Sequence, residues 1–207
     1  MARRTKHRGG LQPDKYLSEA QLKRLRQYVK DMADLARQRG STRAIIDELV
    51  IELLVNTGLR ASELCNLNIG DLPMSHGKET VWVRNGKGSV ARTVDIPEGV
   101  QKRLERFVRL YRQEAGPDAP LLVSTQGKRM IYRSIYEKIR KLGRQAGIGP
   151  LHPHMLRHTY GTRLYNVEQD LRFVQDQLGH ASPTTTAIYA KTNAPARRRQ
   201  LEALDEE

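Results

Sequence analysis

The chain has 207 residues, 38% hydrophobic and 29% charged, which suits one domain with a core of ordinary size. Its 36 Lys and Arg against 23 Asp and Glu leave a net charge of +13. That excess points to an extended anionic partner such as nucleic acid, whose phosphates reward clustered cations by releasing counterions; a merely solvated basic surface is the plain alternative. A lone cysteine, Cys65, excludes a disulfide framework and four-thiolate zinc sites and suits a reducing cytoplasm, no apolar run approaches the roughly 20 residues that span a bilayer, and aromatic residues at 5% argue against stacking platforms.

In chain order, "MARRTKHRGG" is basic but lacks the apolar segment of a secretion signal, so residues 1–17 read as a basic arm. Such an arm either lies along a DNA backbone or simply solubilises the end. Ser18 is placed as an N-cap before Leu22, Leu25, Val29, Met32, Leu35 and Ala36, whose spacing predicts an amphipathic helix closed by Gly40. Ser41 or Thr42 caps a second, largely buried helix through "AIIDELVIELLVNT", ended by Gly58, and "ASELCNL" predicts a short third helix just after Arg60. "TVWVRNGKGSVARTVDI" then places β-branched and aromatic runs on either side of "NGKG", a hairpin pattern. Pro97 starts a helix through about Ala115, "GPDAP" is a loop, and "LLVS" reads as a short strand. Helical patterns fill about 131–147, 153–166, 170–178, 184–190 and 195–204. The expected fold class is mainly α with a small antiparallel β-sheet.

"LHPHMLRHTYGTRLY" sets His152, His154 and His158 around Arg157. His154 and His158 have the i, i+4 spacing of two zinc ligands, but the metalloprotease form needs Glu where Met155 stands, and Arg157 would repel the dication. An anion site fits better: Arg157 offers a planar fork of donors, and His154 shares its helical face. Pro153 at the first turn puts His154 near the positive end of the helix. His152 and His158 read as packing or capping residues.

Two further segments sharpen the picture. "TGLRASEL" puts Arg60 just past a helix end with Glu63 behind it, and "LGHASPTTTAIYAKT" puts His180 after a glycine turn and Tyr189 on the next helix. Together with "HPHMLRHTYGTRL", these segments resemble the tyrosine recombinase (phage integrase) family of DNA strand-exchange enzymes, over about residues 42 to 192. The family's active-site lysine lies in a β-hairpin turn, where this chain has Lys87 in "NGKGSVART".

The resemblance implies the family's catalytic-domain fold over residues 18–192 and six site residues: Arg60, Lys87, His154, Arg157, His180 and Tyr189. Tyr189 would attack the DNA phosphate to give a 3′-phosphotyrosyl link. Arg60 and Arg157 would clamp the non-bridging oxygens, and His180 would hydrogen-bond the same phosphate. Lys87 would protonate the leaving 5′-oxygen, and His154 would accept the phenolic proton. Glu63 would orient Arg60 or cap the following helix. No metal and no cofactor is implied. The expected partners are double-stranded DNA, further copies of the chain in a synaptic tetramer, and accessory DNA-bending or directionality proteins, with no membrane. Residues 193–207, "basic then acidic", would form a tail helix docking on a neighbouring protomer or on its own body.

One departure stands out. At most about forty residues precede the expected catalytic body, too few for the family's core-binding domain, which suggests a truncated member or one like the small fimbrial invertases. The competing readings are a catalytically silent DNA-binding regulator on the same scaffold and a topoisomerase-like relaxer using the same tyrosine chemistry.

Overall fold

The computed structural model describes residues 15–84, 91–179 and 186–189. Helix α1 (Glu19–Gln38) begins in a capping box: the Gln21 backbone N–H donates to Ser18 Oγ at 3.3 Å, and the Ser18 N–H donates to Gln21 Oε1 at 2.9 Å. Such caps contribute about 1 kcal/mol. The buried stripe is Leu22, Leu25, Val29, Ala33 and Ala36. Ala33 takes an inward place expected for its neighbours, while Leu35 remains 42% exposed.

Helix α2 (Arg43–Thr57) runs through the centre, packed by α1, by α5 (Glu98–Tyr111) and by α7 (Pro153–Glu168). It is apolar on nearly every side, and the two carboxylates it buries are both paired. Glu52 accepts a two-pronged grip from Arg26 at 2.8 and 2.7 Å, and Glu48 is held by Arg37 and by Arg103. An unpaired charge at such a place would be strongly destabilising, so these pairs are a condition of packing α2 between α1 and α5.

Gly58 ends α2 at φ 61°, in the left-handed region. α3 (Ala61–Asn66) follows, then one 3-10 turn (Ile69–Asp71) and a single helical turn, α4 (Pro73–His76). The antiparallel pair β1 (Thr80–Val83) and β2 (Arg92–Asp95) sets Val81 opposite Val94 and Val83 opposite Arg92. The hairpin and the mainly helical architecture are as the sequence predicts.

Other boundaries differ. α5 stops at Tyr111 and not near Ala115, because Arg112 leaves helical geometry and its guanidinium donates to the Pro120 carbonyl at 2.9 Å. Among the described residues "LLVS" forms no strand: Leu121 and Leu122 are fully buried, but pairing is limited to isolated bridges, Asn68 with Pro120 and Val123 with Arg129. Burial without a partner strand explains the strand-like apolar run. α6 (Tyr132–Gln145), α7 and α8 (Leu171–Leu178) match the predicted helices to within a few residues, and 186–189 are helical inside the predicted 184–190. The arm before residue 15 and the expected helix at 195–204 lie outside the described residues.

The core is one large cluster drawn from α1 to α7 and the hairpin. A second, small cluster joins Tyr160, Val174, Leu178 and Tyr189. Among the described residues this second cluster has four buried members.

Candidate active site

The chain folds its site around helix ends. α2 and α8 both terminate in left-handed glycines, Gly58 and Gly179, so their last carbonyls need donors. Arg157, 3% exposed on α7, supplies them: Nη1 donates to Gly58 O at 2.5 Å and Nη2 to Leu178 O at 2.6 Å. A cation at two negative helix ends is electrostatically well placed. Burial, then the charge of Arg60, lowers the Arg157 pKa to about 10, so it remains a full cation at neutral pH.

Arg60 stands just before α3. Its Nη1 donates to Glu63 Oε1 at 2.7 Å and its Nη2 to Gly179 O at 3.3 Å, with the side chain 27% exposed. Arg60 and Arg157 therefore converge on the same turn at the end of α8. Glu63 also accepts the Arg60 backbone N–H at 2.8 Å. Burial pushes its carboxyl up, but hydrogen bonds from Arg92 and Arg60 outweigh that, and Glu63 ionises below its ordinary 4.5.

His154 is exposed in the first turn of α7, its ring 4.1 Å from that of His158, edge to face. Partial desolvation, then the charges of Arg157, His152 and Arg60, lower its pKa below 6.5. It is thus a neutral imidazole beside two guanidiniums at pH 7.

Tyr189 is fully buried. Its hydroxyl lies 3.0 Å from His158 Nδ1, and its ring fills the space a side chain at Gly161 would need, with Cζ only 2.6 Å from the Cβ position there. Burial raises its pKa to about 12, against the opposing pull of Arg157. His158, read from sequence as a packing or capping residue, is the ring that meets the hydroxyl.

Of the six sequence-predicted site residues, the structure gathers Arg60, His154, Arg157 and Tyr189 at the junction of α2, α3, α7 and α8. Lys87 and His180 lie outside the described residues. Sequence reading missed Arg92, which grips Glu63 from β2 at 2.9 and 3.0 Å. A signal was present: alternation through Arg92, Val94 and Ile96 puts the arginine on the inward face. Among the described residues no three His, Cys, Asp or Glu side chains gather as a metal-binding set, and Cys65 is buried with its pKa raised to about 11, chiefly by burial.

A family model, the phage integrase family, matches residues 15–195. The chain belongs to that family. It is similar to the tyrosine recombinase XerC of Pseudomonas fluorescens, 38% identical over 143 residues that cover 69% of this chain and 47% of that protein. Among solved structures it resembles XerA recombinase, at 35% identity and TM-score 0.73, covering 91% of this chain and 64% of that one. It also resembles the XerH site-specific recombinase in a pre-cleavage complex with difH substrate, at 27% identity and TM-score 0.66, covering 85% of this chain and 50% of that one. The chain spans about half the length of the curated relatives it matches. The observed fold is that of the family's catalytic domain.

Proposed function

We propose that this integrase-family chain catalyses site-specific DNA strand exchange through a covalent tyrosine intermediate. The observation that carries the reading is the convergence of Arg60 and Arg157 on the α8 terminus, with His154 and Tyr189 at the same junction. Two cations and a neutral imidazole suit a phosphate whose charge grows during attack. The net charge of +13 supports a duplex DNA substrate, as does the likeness to a recombinase solved on its DNA.

In the proposed reaction the Tyr189 Oη bonds to phosphorus and the bond from phosphorus to the 5′-oxygen breaks, leaving a 3′-phosphotyrosyl link. The phenolic proton passes to His154, and Lys87 protonates the departing 5′-oxygen. Because the ester keeps the phosphodiester's energy, a 5′-hydroxyl of another strand reverses the step and completes exchange. With a pKa of about 12 in its pocket, Tyr189 would cost about 7 kcal/mol to deprotonate at pH 7. In the proposed reaction it leaves that pocket to meet His154 and the phosphate held by the arginines. Arg60 and Arg157 supply the positive charge, so the chemistry runs without a divalent metal. His180 completes the phosphate contacts. Duplex DNA and further copies of the chain, assembled as a synaptic tetramer in the cytoplasm, are the proposed partners. Residues 18–192 form the catalytic unit, residues 1–17 a basic arm and residues 193–207 a docking tail.

The test uses nicked duplexes with a randomised core, arranged so that the short downstream fragment bearing the freed 5′-hydroxyl diffuses away. On a denaturing gel the wild-type chain should give a protein–DNA band that survives EDTA and is lost in Tyr189→Phe. A band persisting in Tyr189→Phe would overturn the nucleophile assignment. Plasmid relaxation without strand exchange would favour the topoisomerase-like alternative, and duplex binding without any band the silent regulator.

A further inference from the structure

Arg92 is the third guanidinium of the site, and phosphate binding does not account for it. Its side chain is 13% exposed, against 27% for Arg60, so it lies beneath the surface that Arg60 reaches. It forms a parallel two-pronged pair with Glu63, Nη1 to Oε1 at 2.9 Å and Nη2 to Oε2 at 3.0 Å. The same two oxygens hold Arg60: Oε1 accepts its Nη1 at 2.7 Å and Oε2 its backbone N–H at 2.8 Å. One buried carboxylate thus sits between two guanidiniums and accepts from both.

The other face of Arg92 lies against Gly179. A Cβ placed there would stand 2.7 Å from Arg92 Nε and 2.8 Å from Cδ, so the Arg92 side chain packs directly against the turn at Gly179. Arg60 reaches the carbonyl of that same glycine. Arg92 also opens β2, five positions after Lys87 in the hairpin sequence. A single side chain therefore ties together the start of α3, the strand β2 that follows Lys87 in sequence, and the Gly179 turn.

Stability alone does not call for this arrangement. Buried ion pairs are rarely better than apolar residues of the same volume, and the Arg92 Nε is buried with no hydrogen-bond partner among the described residues. What the pair does provide is direction. With both Glu63 oxygens shared, Arg60 commits Nη1 to the carboxylate. Without Arg92, the carboxylate would be free to take Arg60 in the two-pronged geometry that a guanidinium favours and to draw it inward.

We infer that Arg92 is a positioning residue for the proposed strand cleavage, acting through Glu63 to set the Arg60 guanidinium and through Gly179 to seat the turn before His180. The inference rests on the recombinase reading. A misplacement of about 1 Å at such a site costs on the order of 10²-fold in rate.

The test measures single-turnover adduct formation on the nicked duplex captured by the wild-type chain, alongside binding of that duplex by fluorescence anisotropy. Arg92→Met should slow adduct formation about 10²-fold while affinity changes less than about threefold, and added guanidinium ion should restore part of the rate. In an Arg60→Ala background, Arg92→Met should cost clearly less than it does in the wild-type chain, because the part of its effect that travels through Arg60 is already lost. Arg92→Lys keeps the charge without the fork and should be slowed too, and it decides the matter if the Met variant fails to fold. Arg92 variants that fold and cleave at the wild-type rate would overturn the inference, and so would full additivity with Arg60→Ala. Failure of the wild-type chain itself to form an adduct would instead remove the recombinase reading, and this inference with it.

Discussion

The Tyr189 hydroxyl stands 3.0 Å from His158 Nδ1, with the ring lying over Gly161 of α7. The group proposed to attack DNA is thus hydrogen-bonded inside its own domain, on the small second cluster and not on the main core. His158→Phe should weaken this closed position by removing a buried hydrogen-bond partner, at a cost of about 1–3 kcal/mol. Amide hydrogen exchange at Ile188 and Tyr189 should speed up by at least about fivefold. Unchanged exchange there would show that the contact does not hold the segment.

Gly161→Ala probes the same pocket sterically. The added methyl would fall 2.6 Å from Tyr189 Cζ and 2.9 Å from its hydroxyl, so the ring has to move out. The helix itself loses nothing, since alanine is the better helix former by about 1 kcal/mol. Tyr189 should become open to nitration near pH 8, where the wild-type phenol, with its pKa raised to about 12 by burial, resists it. Equal nitration in the two proteins would contradict the packing described.

Gly58→Ala should be among the most damaging small substitutions in the domain. The residue sits at φ 61°, and its Cβ would lie 2.4 Å from Tyr160 Cδ1 and 2.7 Å from Leu178 Cδ2. Left-handed strain and overpacking together cost about 3 kcal/mol or more. Its carbonyl also receives Arg157, so thermal stability and cleavage should fall together. A melting temperature within a degree or so of wild type would refute this.

The pH profile reports on His154. Partial desolvation and then the neighbouring charges hold its pKa below 6.5, so the neutral, proton-accepting form dominates from pH 6.5 upward. Adduct formation should be flat just above that pH and decline below it, as the imidazole becomes charged, with any alkaline limb belonging to the general acid Lys87. His154→Gln should slow the reaction about 10²–10⁴-fold and abolish that acid limb. A Gln variant as fast as wild type would exclude His154 as the base.

Much of this was legible in the sequence because local rules and tertiary context agree. Ser18 before an amphipathic run, Gly58 after an apolar one, and Pro153 at a helix start each mark a boundary that the fold respects. Arg157 stands out by its place beside His154, Arg60 and Tyr189 come from the resemblance to the tyrosine recombinase family, and the fold brings the three together. What sequence could not show depends on long-range geometry. Leu121 and Leu122 look like a strand because they are buried, yet among the described residues no neighbouring strand pairs with them. Arg92 finds Glu63 across 29 positions, and His158 finds Tyr189 across 31. Neither partner could be chosen from spacing alone.

The central claim is that Tyr189 becomes covalently joined to DNA, and mass spectrometry of the digested adduct tests it most directly. The account predicts a nucleotide remnant on the peptide containing Tyr189, linked through the 3′-phosphate of the cleaved strand. A remnant on any other residue, a 5′-phosphate linkage, or broken strands with no protein-bound nucleotide would contradict it.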